Sequence, residues 1–441
     1  MISDTDYPSV SFDQYLAHLP SEITDELLST AAELKNLRVI HINSTATGGG
    51  VAEILQSLVP LNNGLGIRTK REVIDAPPEF FQVTKKIHNM LQGADGELSS
   101  EELDTYYSGI KRVAEDMRRR DLSADVWFLH DPQLLPLAHL LPRKSTDKWI
   151  WVCHIDLTKP NQSVLDTLMP LARDYDNLVF SLNSYVPTGL TNMPPVFIAP
   201  PAIDPLTTKN VPLPLKRAEK LVTSMGIDTS RPLITQVSRF DMWKDPWGVV
   251  EAYRLARNSV PGLQLALLGL IQASDDPEAL VVLESVREIA DNDPDIHLYH
   301  STESLPGTVD EVVNAFQVVS DVLMQKSIRE GFGLTVTEAM WKGKAMIGGN
   351  VGGIRIQIEN GVNGYLIDTP EECAWRIVEL LKDPELRTRL GEAGKESVRQ
   401  RYLLPSLALD YLKLVKAQVT LPEPTTDRML IQQLTRKFAT A

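Results

Sequence analysis

Glu330 and Glu338 stand with seven residues between them in "SIREGFGLTVTEAMWKG". The segment turns at Gly331 and Gly333 and then takes on a helical pattern from about Leu334. A carboxylate at the mouth of a strand and another one turn into the following helix can each accept from paired hydroxyls. Such groups could therefore hold two different sugars of one ligand. The amides from Gly333 to Thr335 would point at an anion or at sugar hydroxyls, as the first N–H groups of a helix do. A capped helix with a solvated Glu338 is the structural alternative. A second cluster is "SRFDMWKDP", where Arg239 and Lys244 precede a helix start marked by Pro246. Two cations on a loop at the end of a strand could clamp a diphosphate, Arg by its fork and Lys as a point charge. Two ordinary charges on a solvated loop would look the same. A third feature is the glycine triplet in "HINSTATGGGVAEIL", Gly48 to Gly50, which is either a tight turn or a close approach of backbone N–H groups to a phosphate. It has neither the G-x-G-x-x-G dinucleotide spacing nor the Lys-Ser/Thr of a P-loop.

These clusters need elements to position them. Short, almost continuously apolar runs recur along the chain: "RVIHIN", "DVWFLH", "WIWVCHI", "NLVFSL" and "PVFIAPP", then "PLITQVSRF", "LQLALLGL", "DIHLYH", "DVLMQKS", "AMIGG" and "GYLID". Amphipathic stretches separate many of them, including "VAEILQSLVPLNNGLG", "PWGVVEAYRLARN" and "TVDEVVNAFQVVS". Buried strands alternating with helices predict an α/β chain with parallel sheets covered on both faces. The rhythm breaks at "DPLTTKNVPLPLKRAEK", which has no sustained period and predicts a linker. The expected organisation is a helical N-terminal extension over 1–36, a first α/β domain over 37–204, a linker over 205–220, a second α/β domain over 221–398, and C-terminal helices over 399–441 that return to the first domain. Ligands in open α/β sheets bind beyond the carboxyl ends of the strands, where all three clusters fall.

Composition bounds the function. The 441 residues carry a net charge of −14, are 43% hydrophobic and 23% charged, and contain two cysteines, Cys153 and Cys373. Nucleic acid and anionic membranes are poor partners for such a chain, so any anionic ligand must be held by a local basic site. The cysteines lack metal-ligand spacing and suit a reducing compartment. No signal-peptide pattern opens the sequence, and a cytoplasmic protein is expected. The D-x-D spacing in "DNDPD", Asp291 to Asp295, occurs at metal sites in other folds, but here it falls between a helix and the start of a strand and predicts a turn.

E-G-F-G-x-x-x-x-E, preceded by R-F-x-x-x-K and by an N-terminal glycine-rich loop, resembles the retaining GT-B glycosyltransferases of family GT4. The blocks "INSTATGGGVAEILQSLVPL", "APPEFFQVTKKIHNMLQG", "HDPQLLPL", "CHIDLTKPN", "PAIDPLTTKN" and "NGYLI" narrow the resemblance to the trehalose glycosyltransferring synthases, over roughly residues 37–402. That resemblance implies a GT-B fold, two Rossmann-like domains facing each other across a cleft, and glucose transfer from a nucleoside diphosphate glucose to free glucose. It implies that Gly49 and Gly50 meet the donor phosphate, that Arg239 and Lys244 neutralise the leaving diphosphate, and that Leu334 and Thr335 add backbone amides. Glu330, with Gly331, Phe332 and Gly333 around it, would bind the donor glucose, and Glu338 the ribose. His154 would sit beside the reacting carbon. Asp131, Gln133 and Asp156 are acceptor-site candidates, although a helix cap explains Asp131 as well. No cofactor is required on this reading; Mg²⁺ is possible but not essential, and no metal ligands are assigned. The expected partners are small-molecule substrates, with a homodimer possible. The donor base, UDP, ADP or GDP, stays open. So do other small acceptors such as a polyol or glyceric acid, a retaining trehalose phosphorylase, and a non-catalytic nucleotide-sugar sensor.

Overall fold

The computed structural model describes residues 8–420 apart from 48, 121, 189–191, 271–277 and 304. Gly48, the first of the glycine triplet, lies outside the described residues. The chain divides into two units, one running to Pro201 and resuming at Leu404, the other spanning Ala202–Leu403.

The first unit is built on six strands: β1 (Arg38–Asn43), β2 (Arg68–Val73), β3 (Val126–His130), β4 (Lys148–Cys153), β5 (Asn177–Phe180) and β6 (Val196–Ile198). They pair in the order β2-β1-β3-β4-β5-β6, and every pair is parallel. β3 and β5 are buried at every position, as continuous apolar strands in a two-sided sheet must be. β2, "RTKREV", lies at the sheet edge, and its charged sequence carries no apolar signature by which it could be anticipated.

The second unit repeats the plan with β7 (Leu233–Val237), β8 (Gln264–Leu268), β9 (Ile296–Tyr299), β10 (Val322–Gln325), β11 (Met346–Gly349) and β12 (Tyr365–Ile367). Their order is β12-β11-β10-β7-β8-β9, again all parallel. Side chains alternate between two cores. Ile234, Leu265 and Leu267 join one core, which also takes in Val249 and Ile377. Leu233, Val237, Ala266 and Leu268 join the other, with Val222 and Phe316. That alternation follows from the strand period of two and places helices on both faces.

Each sheet has one point where the chain's direction of winding reverses: between β1 and β3 in the first unit, and between β7 and β10 in the second. Connections leaving adjacent strands there run to opposite faces and open a crevice at the carboxyl ends.

Three expectations are corrected in detail. The N-terminal segment holds a helix, Ser21–Glu33, whose lysine-facing glutamates bond to the helix Leu404–Thr420, Glu26 to Lys413 at 2.7 Å and Glu33 to Lys416 at 2.6 Å; it is an integral part of the first unit. The segment 205–220 is not a free linker, because the second unit begins at Ala202 and the helix Leu215–Ser224 packs into one of its cores through Ala218 and Val222. The helix Pro384–Arg401 continues past 399, and the return to the first unit comes at Leu404, after Ile203 N–H bonds the Tyr402 carbonyl at 3.0 Å.

Candidate functional site

In the second unit the loops after β7 and β10 flank the reversal point, and they carry Arg239, Lys244 and Glu330. The sequence-predicted cation and carboxylate meet. Lys244 Nζ donates to both oxygens of Glu330 at 2.7 Å. Glu330 is 7% exposed and also accepts from Ser327 Oγ at 3.0 Å and from Gln325 Nε2 at 3.5 Å. Gln236, at the carboxyl end of β7, ties the two loops together: it donates to the Lys244 carbonyl at 3.0 Å and accepts from Lys326 N–H at 2.8 Å. A fixed carboxylate within reach of a fixed ammonium can read a sugar hydroxyl while the cation serves a neighbouring phosphate. Arg239 lies on the same loop, 3.6 Å from Asp241, with its side chain one-third exposed. Gln236, Gln325 and Ser327 escaped the sequence reading. Their signal was positional, since each is a polar residue ending or following an apolar strand next to a candidate.

Gly333 is the N-cap of the helix Leu334–Trp341, with φ 88° and no side-chain cap. The left-handed conformation explains the glycine, and a Cβ there would also meet Glu330 Cγ at 3.2 Å. The N–H groups of Leu334 and Thr335 open that helix, where no preceding turn can accept from them. Phe332 is buried with its ring against Tyr402, a contact that packs the loop. Glu338 is not solvated. It is 1% exposed, with Lys209 Nζ at 3.2 Å and Gln317 Nε2 at 3.2 Å. Close to this pair, burial pushes the Lys342 ammonium down to about 8, against the opposing pull of Glu338. Lys209 comes from the segment read as a linker, which is why it was not anticipated.

In the first unit the loops after β1, β3 and β4 carry the other candidates. Gln133 Nε2 donates to Ser44 Oγ at 2.9 Å, bridging the two loops at the reversal point. Gly49 is the N-cap of the helix Gly50–Gly64, with φ 97° and no side-chain cap. The positive φ belongs to Gly49, and Gly50 is already helical. Arg71 supports the loop by donating to the Asn43 side chain at 2.8 Å and to the Ala46 carbonyl at 3.1 Å. Asp131 has φ 68° and ψ 165°, a conformation costing a non-glycine residue on the order of 1–3 kcal/mol. It does not cap its own helix. Instead its Oδ1 accepts from His154 N–H at 3.1 Å and its carbonyl from the Trp151 indole at 3.0 Å. Asp156 is occupied locally, accepting from Thr158 N–H at 2.8 Å and Thr158 Oγ1 at 2.6 Å. His154 follows β4, and its Nε2 lies 2.9 Å from His130 Nδ1. Burial holds the His154 imidazolium back, partly offset by Asp131.

The D-x-D segment is a turn: Asp291 and Asn292 have positive φ, and Asp293 and Asp295 pair with Arg257 and Arg231. Among the described residues no group of three or more metal-type ligands occurs, and no helix is long and apolar enough to cross a membrane.

Residues 41–187 match the family described as trehalose synthase, N-terminal domain, and residues 218–397 match glycosyl transferases group 1. The trehalose synthase of Rubrobacter xylanophilus is 43% identical over 91% of this chain and 95% of its own length. The chain belongs to the trehalose synthase family. The trehalose synthase of Pyrococcus horikoshii is 41% identical over 92% of this chain and 96% of its own. Membership makes the protein an enzyme, a hexosyltransferase. Its fold is GT-B: a trehalose-6-phosphate synthase structure covers 87% of this chain and 99% of its own at a TM-score of 0.69 and 13% identity. The sucrose-phosphate synthase of Thermosynechococcus elongatus matches at 0.66 and 16% identity, over 87% of this chain and 99% of its own.

Proposed function

We propose that this enzyme transfers glucose from a nucleoside diphosphate glucose to free glucose with retention, forming α,α-trehalose. The observation that carries the reading is an identity of 43% that runs through 91% of the chain, and so through both units rather than the nucleotide-binding half alone. In the transition state the glucosyl carbon gains oxocarbenium character and negative charge grows on the leaving phosphate. Arg239 and Lys244, together with the open helix starts at Gly49–Gly50 and Leu334–Thr335, stabilise that charge, and positioned donors of this kind supply the largest single share of most such accelerations. Glu330, held by Lys244 and Ser327, accepts from hydroxyls of the donor glucose. Glu338 is assigned to the ribose, with Lys209 as the cation that holds it. His154 lies at the donor sugar, and Asp131 and Gln133 belong to the acceptor side. The acceptor hydroxyl attacks from the face that the diphosphate leaves. Two fixed cations make a metal dispensable on this reading, so activity is expected to persist in EDTA.

Product analysis tests the reading. UDP-, ADP- and GDP-glucose are each offered with glucose, a polyol, glyceric acid and glucose 6-phosphate, and the disaccharide is identified by its anomeric couplings. Trehalose from free glucose is the expected product. Release of glucose 1-phosphate from trehalose and inorganic phosphate, without any nucleotide requirement, would make the enzyme a phosphorylase instead.

A further inference from the structure

Three histidines cross the first sheet in a line. His41 lies in β1, His130 ends β3 and His154 follows β4, three strands that are neighbours in the sheet. His41 Nδ1 is 3.0 Å from His130 Nε2, and His130 Nδ1 is 2.9 Å from His154 Nε2. The rings are nearly parallel, 27° between the first two and 15° between the last two. His41 and His130 are 1% and 2% exposed, whereas His154 is only partly buried. At the far end His41 Nε2 is buried without a hydrogen-bond partner. Phe128 stacks on His41 at 4.6 Å, and Tyr411 of the C-terminal helix lies at 6.3 Å.

Each contact requires one N–H and one lone pair. Burial holds His41 down to about 3 and His130 well below the ordinary histidine range, so both are neutral at working pH. A neutral chain then has two states. Either every ring carries its proton on Nδ1, or every ring carries it on Nε2. The fixed charges choose between them. Arg71 sits opposite His41 in the register of β1 and β2, and Asp131 touches the backbone of His154. With protons on Nδ1, each N–H points from the cationic end toward the anionic end, and the lone pair left over at His41 Nε2 is on the Arg71 side. With protons on Nε2, every bond dipole is reversed and a buried N–H is stranded beside a cation. In a low-dielectric interior a lone pair facing the Arg71 cation is favoured over an N–H facing it, because the partial positive charge of the N–H is repelled there.

We propose that His41 and His130 are positioning residues that hold His154 as the neutral Nδ1–H tautomer, so that His154 serves the bound donor sugar as a hydrogen-bond donor and not as a proton acceptor. The assignment of a sugar to His154 rests on the proposed function; the tautomer does not. The Nε2 lone pair of His154 is committed to His130, and freeing Nδ1 to accept a proton would require every ring to carry its proton on Nε2 instead, leaving an N–H at His41 Nε2 without an acceptor. A substrate hydroxyl facing Nδ1 is therefore bound through its oxygen.

Two-bond ¹⁵N–¹H correlation spectra of the substrate-free enzyme, labelled in histidine and assigned with single His→Gln variants, read the tautomers directly. Nδ1–H signals for His41, His130 and His154 are expected at pH 7.5. An Nε2–H signal for His154, or an imidazolium there, would overturn the proposal. This readout is independent of which sugar is transferred, so it can fail while the proposed reaction stands, and the reverse. The second arm is His41→Phe, which keeps an aromatic ring on Phe128 but removes the first link. His154 should then sample both tautomers, and kcat should fall about tenfold with the fold retained. Loss of thermal stability with an unchanged His154 signal and unchanged kcat would show that the chain is core packing only.

Discussion

Lys244 and Glu330 are each other's partners, so a substitution at either has two effects. Lys244→Ala removes a cation assigned to the leaving group and also strands a carboxylate that is 7% exposed. It is expected to cost about 3 kcal/mol of stability in urea unfolding as well as most of the turnover. Arg239 separates the two effects because its side chain is one-third exposed and lies on a loop. Arg239→Ala should lower kcat about 100-fold, the scale for losing one donor to developing charge, with little change in the unfolding midpoint. Undiminished turnover in that variant would reduce Arg239 to a surface charge. The glycines divide in the same way. Gly49 has φ 97° and ψ 153° with nothing within 4 Å of an added Cβ, so alanine there is opposed by backbone conformation alone, at about 1–3 kcal/mol. Gly50 is the first helical residue and carries no such constraint. Gly50→Ala should therefore leave the thermal midpoint unchanged and raise the donor KM. A normal donor KM in folded Gly50→Ala would leave the triplet as a bend.

The strand β1 shows how an element links the site to acid stability. His41 sits in its middle with its pKa held at about 3 by burial, assisted by Arg71 and His154. In the unfolded chain the same group titrates near 6.5. The unfolded state therefore takes up a proton below pH 6.5 that the folded state refuses, and stability must fall as the pH drops through that window toward 3. By pH 5 the loss from this residue alone is about 2 kcal/mol. His41→Phe should flatten the pH dependence of the urea midpoint between pH 7 and 5; an undiminished slope would mean that His41 is protonated in the fold. The sequence foretold the strand but not this role, and the reason is geometric. "HIN", "FLH" and "CHI" each show one histidine near the end of an apolar run, and nothing local says that β1, β3 and β4 are adjacent. Parallel pairing supplies that fact: His41 pairs with Phe128 and His130 with Val152, so each histidine lies two residues beyond the partner of the one before it. The same limit hid Gln236 and Gln325, whereas Glu330, Arg239 and Lys244 were legible because their loops carry them within one short segment each. β2 was illegible for a different cause: an edge strand buries too little to need apolar residues. Lys209 was missed because a buried lysine in an irregular segment has no pattern at all.

At the scale of the whole chain, the second unit is an uninterrupted stretch and the first is not. Ala202–Leu403 contains a complete six-stranded sheet with a core on each face. The first unit resumes with the helix Leu404–Thr420, which lies far along the chain from the sheet it completes. That helix buries Leu404, Leu407, Leu409, Leu412 and Leu414, and it brings Tyr411 onto Phe128 at 5.1 Å. At about 2 kcal/mol per buried leucine, its removal withdraws on the order of 10 kcal/mol, comparable with the whole stability of an ordinary domain. Two fragments should therefore behave in opposite ways. Residues 202–403 expressed alone are expected to unfold cooperatively in calorimetry, since every strand partner is present. A chain ending at Leu403 should keep that transition and lose the one that belongs to the first unit, with dye binding to exposed apolar surface already at 25 °C. Adding a synthetic peptide of residues 404–420 should restore the missing transition in proportion to its concentration, because binding to the folded form alone stabilises it by mass action. Two intact transitions in the truncated chain would show that the first unit folds without its C-terminal helix.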